Sequence, residues 1–225
     1  MEWTITSTLV LAAGMVAAYL LGSINFAIIV TRLFKKGDIR DYGSGNAGMT
    51  NVLRTVGKTA ALLTLLGDFS KGILSVLFVR LLVLLFHVPG DIVIFDYLVA
   101  FAALLGHLFP VFYGFKGGKG ILVSAGAMLI LSPWALLCCF VAFMLFAVTT
   151  RYISLGSIVA GVMYPLANLF LTWLQYGSVH WTEVILSALI GALAIFMHRA
   201  NIKRLLSGTE SKVSFKKKSA EKAKQ

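Results

Sequence analysis

The sequence is short of charge. Of its 225 residues only 13% are Asp, Glu, Lys or Arg, while 59% are hydrophobic and the mean hydropathy is +0.89. A soluble domain carries about a quarter charged residues and a little under half apolar ones. A water-soluble globule is therefore excluded, and part of the solvent must be lipid. Negative charge is the scarcer sign, with 9 Asp and Glu against 20 Lys and Arg. The acidic residues form no cluster able to hold Mg²⁺, and no His-Glu-x-x-His occurs, which disfavours metal-dependent phosphoryl transfer. The two cysteines, Cys138 and Cys139, are adjacent inside an apolar run and supply neither a disulfide framework nor a metal spacing. No metal or other cofactor is expected. No basic region precedes the apolar run Ile5–Val30, so that run predicts a first transmembrane helix and not a signal peptide. No internal repeat is present.

What is there is a succession of apolar segments. A spanning helix needs about 20 apolar residues, fewer where it is sheltered. Residues 5–31, 59–88, 92–110, 119–131, 133–149, 153–174 and 181–197 qualify, with Pro133 breaking the long run 121–149. The expected fold is an all-α integral membrane protein, a compact bundle of seven transmembrane helices, or five if 119–149 is a re-entrant hairpin. Net charge +11 in a soluble protein would suggest nucleic acid; here it reflects topology. The segments following residues 31, 110, 150 and 197 hold eighteen of the 20 Lys and Arg residues, the exceptions being Lys71 and Arg80. The intervening loops hold none. That bias predicts an outside N-terminus and a cytoplasmic C-terminus. Residues 1–210 read as one membrane-embedded domain and 211–225 as a basic, disordered cytoplasmic tail.

Three polar blocks fall on the basic side. In "DYGSGNAGMTNVLR" (41–54), Gly43, Gly45 and Gly48 permit convergent backbone N–H groups. Ser44, Asn46, Thr50 and Asn51 add neutral donors, and Arg54 adds a planar fork suited to phosphate. An ordinary polar loop with a positive anchor has the same composition. "GFKGGKG" (114–120) sets Gly117, Gly118 and Lys119 immediately before an apolar helix, as an anion cradle or as a flexible turn. In "HRANIKRL" (198–205), His198 and Asn201 share a helical face, a proton-transfer group beside an amide. Asp68 and Lys71 are intramembrane charges, functional candidates by default, or a self-neutralising structural pair. Arg151 and Ser154 mark a further boundary. Three donor-rich blocks on one side suggest one shared site for a small, strongly anionic ligand.

"GSGNAGMTNVLR", "GHLFPVFYGFKGGKG" and "HRANIKRL", in this order and spacing, resemble the bacterial membrane glycerol-3-phosphate acyltransferases that use acyl phosphate as donor. The resemblance covers nearly the whole chain before the tail. It implies a multi-pass enzyme of the bacterial inner membrane with its site facing the cytoplasm. The implied reaction moves an acyl group from acyl phosphate to the 1-hydroxyl of glycerol 3-phosphate in the first step of phospholipid biosynthesis. Lysophosphatidic acid and inorganic phosphate are the products, and no acyl-enzyme forms. Partners implied are the two substrates, membrane lipid and the soluble enzyme that makes acyl phosphate; no nucleic acid is involved. Carried over residue by residue, Ser44, Arg54, Lys119, His198 and Asn201 are the catalytic positions. Gly43, Asn46, Thr50, Asn51, Lys71, Gly117, Gly118 and Ser154 are the substrate-binding ones. Met49, Asn25 and the Ile-Leu-Val after Gly120 depart from the usual family residues without removing a charged group. No His-x-x-x-x-Asp occurs, which sets aside acyl-CoA-type glycerolipid acyltransferases. A transporter for an organic phosphate would also need basic residues, but the missing inverted repeat speaks against it.

Overall fold

Thr4 starts the first helix by accepting the Ser7 N–H on its Oγ1 at 3.1 Å, and Ser7 returns the bond. The structure, a computed structural model, describes residues 4–89 and 91–213. It is helical throughout, with no strand among those residues. The helices are α1 (Ile5–Ser23), α2 (Phe26–Lys35), α3 (Met49–Thr55), α4 (Lys58–Leu85), α5 (Ile92–Leu108), α6 (Ile121–Leu131), α7 (Pro133–Thr150), α8 (Ile153–Tyr176), α9 (Trp181–Met197) and α10 (Arg199–Leu206).

All seven apolar segments appear as helix, with two refinements. The first is split between α1 and α2, because buried Asn25 accepts the Ile28 N–H at 3.1 Å and caps a new helix. Asn25 thus serves as a helix cap. The chain also bends by 58° between α9 and α10, at His198. Pro133 opens α7 at its first position, where its missing N–H costs nothing.

Four stretches are long and apolar enough to cross a membrane: 5–35, 92–113, 133–150 and 153–176; α9 with α10 makes a fifth if the bent pair counts as one. At 1.5 Å per residue α6 reaches only about 17 Å, whereas α4 reaches about 42 Å but carries Asp68, Lys71 and Arg80. Large apolar side chains such as Leu9, Leu84, Trp134, Phe140 and Leu174 point outward, as lipid contact requires. The chain is a multi-pass membrane protein.

Lipid gives little hydrophobic drive for helices to associate, so close backbone approach through small residues takes over. A Cβ on Gly22 would lie 2.2 Å from the Ala103 carbonyl oxygen, and one on Gly106 2.1 Å from that of Tyr19, where α1 crosses α5. Gly72 and Gly126 bring α4 onto α6 in the same way. The α1–α5 crossing brings the C-terminal ends of those two helices together. Val213 donates its N–H to the Arg151 carbonyl at 2.9 Å. Residues 214–225, expected to be disordered, lie outside the described residues.

Candidate active site

The first block folds around Asn51. Its buried amide Nδ2 lies within hydrogen-bond distance of the carbonyls of Tyr42 (2.8 Å), Asn46 (3.1 Å) and Ile39 (3.2 Å), and its Oδ1 accepts the Ser44 N–H at 3.0 Å. Gly43 has φ +58, and a Cβ there would strike Asn51 Oδ1 at 2.3 Å. Asn51 and Gly43 therefore build the loop that carries Ser44. Ser44 stands exposed at the loop's edge, with Asn46 and Thr50 partly buried and Arg54 exposed at the end of α3.

The second block lies on the end of α5 and against the first. Gly117 and Gly118 donate their N–H groups to the carbonyls of Leu108 (3.1 Å) and His107 (3.2 Å). The donors of both glycines are thus paired with backbone carbonyls. Their smallness is what matters: a Cβ on Gly118 would sit 2.3 Å from His107 Nε2 and 2.5 Å from the Ala47 carbonyl oxygen of the first block. Arg40 ties the blocks from outside. It chelates Asp38 through Nε and Nη2, both at 2.9 Å, and donates from Nη1 to the Tyr113 carbonyl at 2.7 Å.

The third block meets the second through Lys119, whose Nζ donates to Asn201 Oδ1. Asn201 Nδ2 in turn donates to Glu210 Oε1 at 2.7 Å, as does Ser154 Oγ at 2.7 Å, while Arg204 Nε donates to Oε2 at 2.6 Å. Ser154 lies in the first turn of α8, whose amino end has no side-chain cap and favours negative charge. Arg54 reaches the same place from α3, donating to the Ser211 carbonyl at 3.2 Å. Burial raises the Glu210 carboxyl pKa, but the hydrogen bonds from Ser154, Asn201 and Arg204, with the Arg204 charge, hold it below the ordinary value. Burial brings the Lys119 ammonium down to about 8; Glu210 opposes that, and the Arg204 and Arg54 charges add to it. Buried His198 donates Nδ1–H to the Ala194 carbonyl at 2.8 Å. In the neutral ring that leaves Nε2 with a free lone pair, within electrostatic reach of Lys119.

Lys119, His198, Asn201, Ser154 and Arg54 are thus gathered at one end of the bundle. Lys71 is not with them. It is 1% exposed, and its ammonium is occupied by Asp68, His107 and the carbonyls of Gly22 and Ile24. Glu210, Arg204, Arg40 and His107 are not among the site residues expected from the sequence. Among the described residues no group of three or more His, Cys, Asp or Glu could hold a metal ion.

The sequence profile of the family described as "Glycerol-3-phosphate acyltransferase" matches residues 12–208. The chain is 45% identical over 199 residues to the glycerol-3-phosphate acyltransferase of Thiobacillus denitrificans, covering 88% of this chain and 94% of that one. It is 44% identical over 219 residues to that of Bordetella pertussis, with 96% and 98% covered. Its fold is similar to the crystal structure of PlsY, an integral membrane glycerol 3-phosphate acyltransferase, in its glycerol 3-phosphate form. There the TM-score is 0.78 at 36% identity, with 91% of this chain and 96% of that chain covered. Against the lysophosphatidic acid form of the same enzyme the TM-score is 0.74.

Proposed function

The chain belongs to the glycerol-3-phosphate acyltransferase family, and from that premise we propose that it transfers an acyl group from acyl phosphate directly to the 1-hydroxyl of glycerol 3-phosphate. The observation that carries this is the Lys119–Asn201 hydrogen bond, which joins two donor-rich blocks 82 residues apart beside His198. Acyl phosphate is already activated, so the protein has only to bring two anions together in line, which positioning and electrostatics supply.

The hydroxyl oxygen attacks the acyl carbon, the bond from that carbon to the phosphate oxygen breaks, and inorganic phosphate leaves. Arg54 and Lys119 neutralise the two phosphates; Ser44, Asn46, Thr50, Ser154 and Asn201 orient them. Two acceptors are available for the hydroxyl proton, His198 Nε2 and the departing phosphate. His198→Ala separates them. Turnover lost at saturating substrate assigns the base to His198, and turnover kept with weakened binding assigns it to the phosphate.

The reading extends to the membrane: seven crossings with α4 and the α6–α7 pair included, the N-terminus outside, and the site on the cytoplasmic face of the bacterial inner membrane. There it would draw acyl phosphate from the soluble enzyme that makes it. Intact-mass measurement of enzyme mixed with acyl phosphate alone tests the direct transfer. An unmodified chain is expected; an acyl adduct would overturn it.

A further inference from the structure

Under the second block lies a buried charged cluster. Asp68, Lys71 and His107 are 1%, 1% and 3% exposed. Lys71 Nζ sits 3.0 Å from Asp68 Oδ1, 2.9 Å from His107 Nδ1, and 2.8 and 2.7 Å from the carbonyls of Gly22 and Ile24. An ammonium has only donors, so toward Lys71 the His107 Nδ1 is the acceptor, and the neutral ring carries its proton on Nε2. That Nε2 edge is the surface against which Gly118 is packed, with no room for a methyl group between them. The His107 carbonyl accepts the Gly118 N–H, and a Cβ on Gly117 would lie 1.9 Å from that same oxygen. The next residue is Lys119.

A buried ion pair is a poor route to stability, since apolar residues of similar volume often serve as well or better. What it supplies is a fixed geometry. We propose that Lys71, held by Asp68, is a positioning residue for the transfer: it locks the His107 ring as the bed beneath Gly117 and Gly118, and so sets where Lys119 presents its ammonium. The inference rests on the role given to Lys119 above.

The test uses the full-length enzyme in detergent, with His107→Asn, Lys119→Arg and the double variant. The asparagine amide keeps an acceptor for Lys71 but removes the ring edge under Gly118. His107→Asn is expected to raise about tenfold the KM for whichever phosphorylated substrate Lys119→Arg weakens, with kcat within about twofold. The double variant is expected to be no worse than the more impaired single one, because both act through the same ammonium. A His107→Asn enzyme with both KM values unchanged, or with effects that multiply independently of Lys119→Arg, overturns the proposal while leaving the Lys119 assignment standing. Wild-type kinetics in Lys119→Arg and Lys119→Met overturns both. If the His107→Asn variant does not fold, His107→Gln carries the same measurements.

Discussion

At the scale of single residues, Lys119 makes the sharpest prediction. Its ammonium is held at about 8 in the substrate-free enzyme, and it attracts phosphate only while protonated. Activity measured as kcat/KM, which reports the free enzyme, is therefore expected to fall as pH rises through about 8. Arginine stays protonated across that range, so Lys119→Arg should abolish this alkaline limb whatever it does to the absolute rate. An unchanged limb in that variant would assign the titration to another group. Glu210 predicts a change in stability. Its side chain is 5% exposed and accepts from Ser154, Asn201 and Arg204. Glu210→Ala leaves those donors without their acceptor, at a cost of about 2 kcal/mol once the partial exposure of Arg204 is discounted, readable as a lowered melting temperature. The two residues were not equally legible beforehand. Lys119 stands out in the sequence because four glycines surround it, whereas Glu210 looks like the start of a basic tail and has meaning only once the chain folds back. Lys71 was visible as an intramembrane charge, but sequence alone cannot tell an ammonium that awaits a ligand from one already surrounded by acceptors.

At the scale of elements, the glycine blocks are joints before they are ligand contacts. Gly118→Ala would push against His107 Nε2 and the Ala47 carbonyl oxygen, displacing the turn before α6. Substrate binding is expected to weaken by about tenfold or more while the helices remain intact by circular dichroism. Gly126→Val acts elsewhere, forcing α6 from α4, where a Cβ would meet the Phe69 carbonyl oxygen at 2.0 Å. That overpacking should cost about 1–3 kcal/mol in detergent melting. Helix boundaries were largely readable from apolar runs, and the Pro133 break followed from its missing N–H. The Asn25 break was not, because a single polar residue in an apolar run shows its capping role only when Ile28 N–H is seen to bond it. The α9–α10 bend at His198 was equally hidden, since the same residues fit one continuous helical face.

At the scale of the whole molecule, the claim is that three blocks far apart in sequence form one site that handles two phosphates at a membrane surface. The charge asymmetry of the loops made a common side legible, and the structure brings Arg54, Lys119, Ser154, His198 and Asn201 to one end of the bundle. Which donor the site accepts is decided by chemistry at that end. The most direct measurement is phosphate and lysophosphatidic acid release by the purified enzyme with glycerol 3-phosphate and, side by side, acyl phosphate, acyl-CoA or acyl carrier protein as donor. Turnover with acyl phosphate, giving one phosphate per lysophosphatidic acid and no reaction with either thioester, is the predicted result. Turnover with the thioesters alone would contradict it.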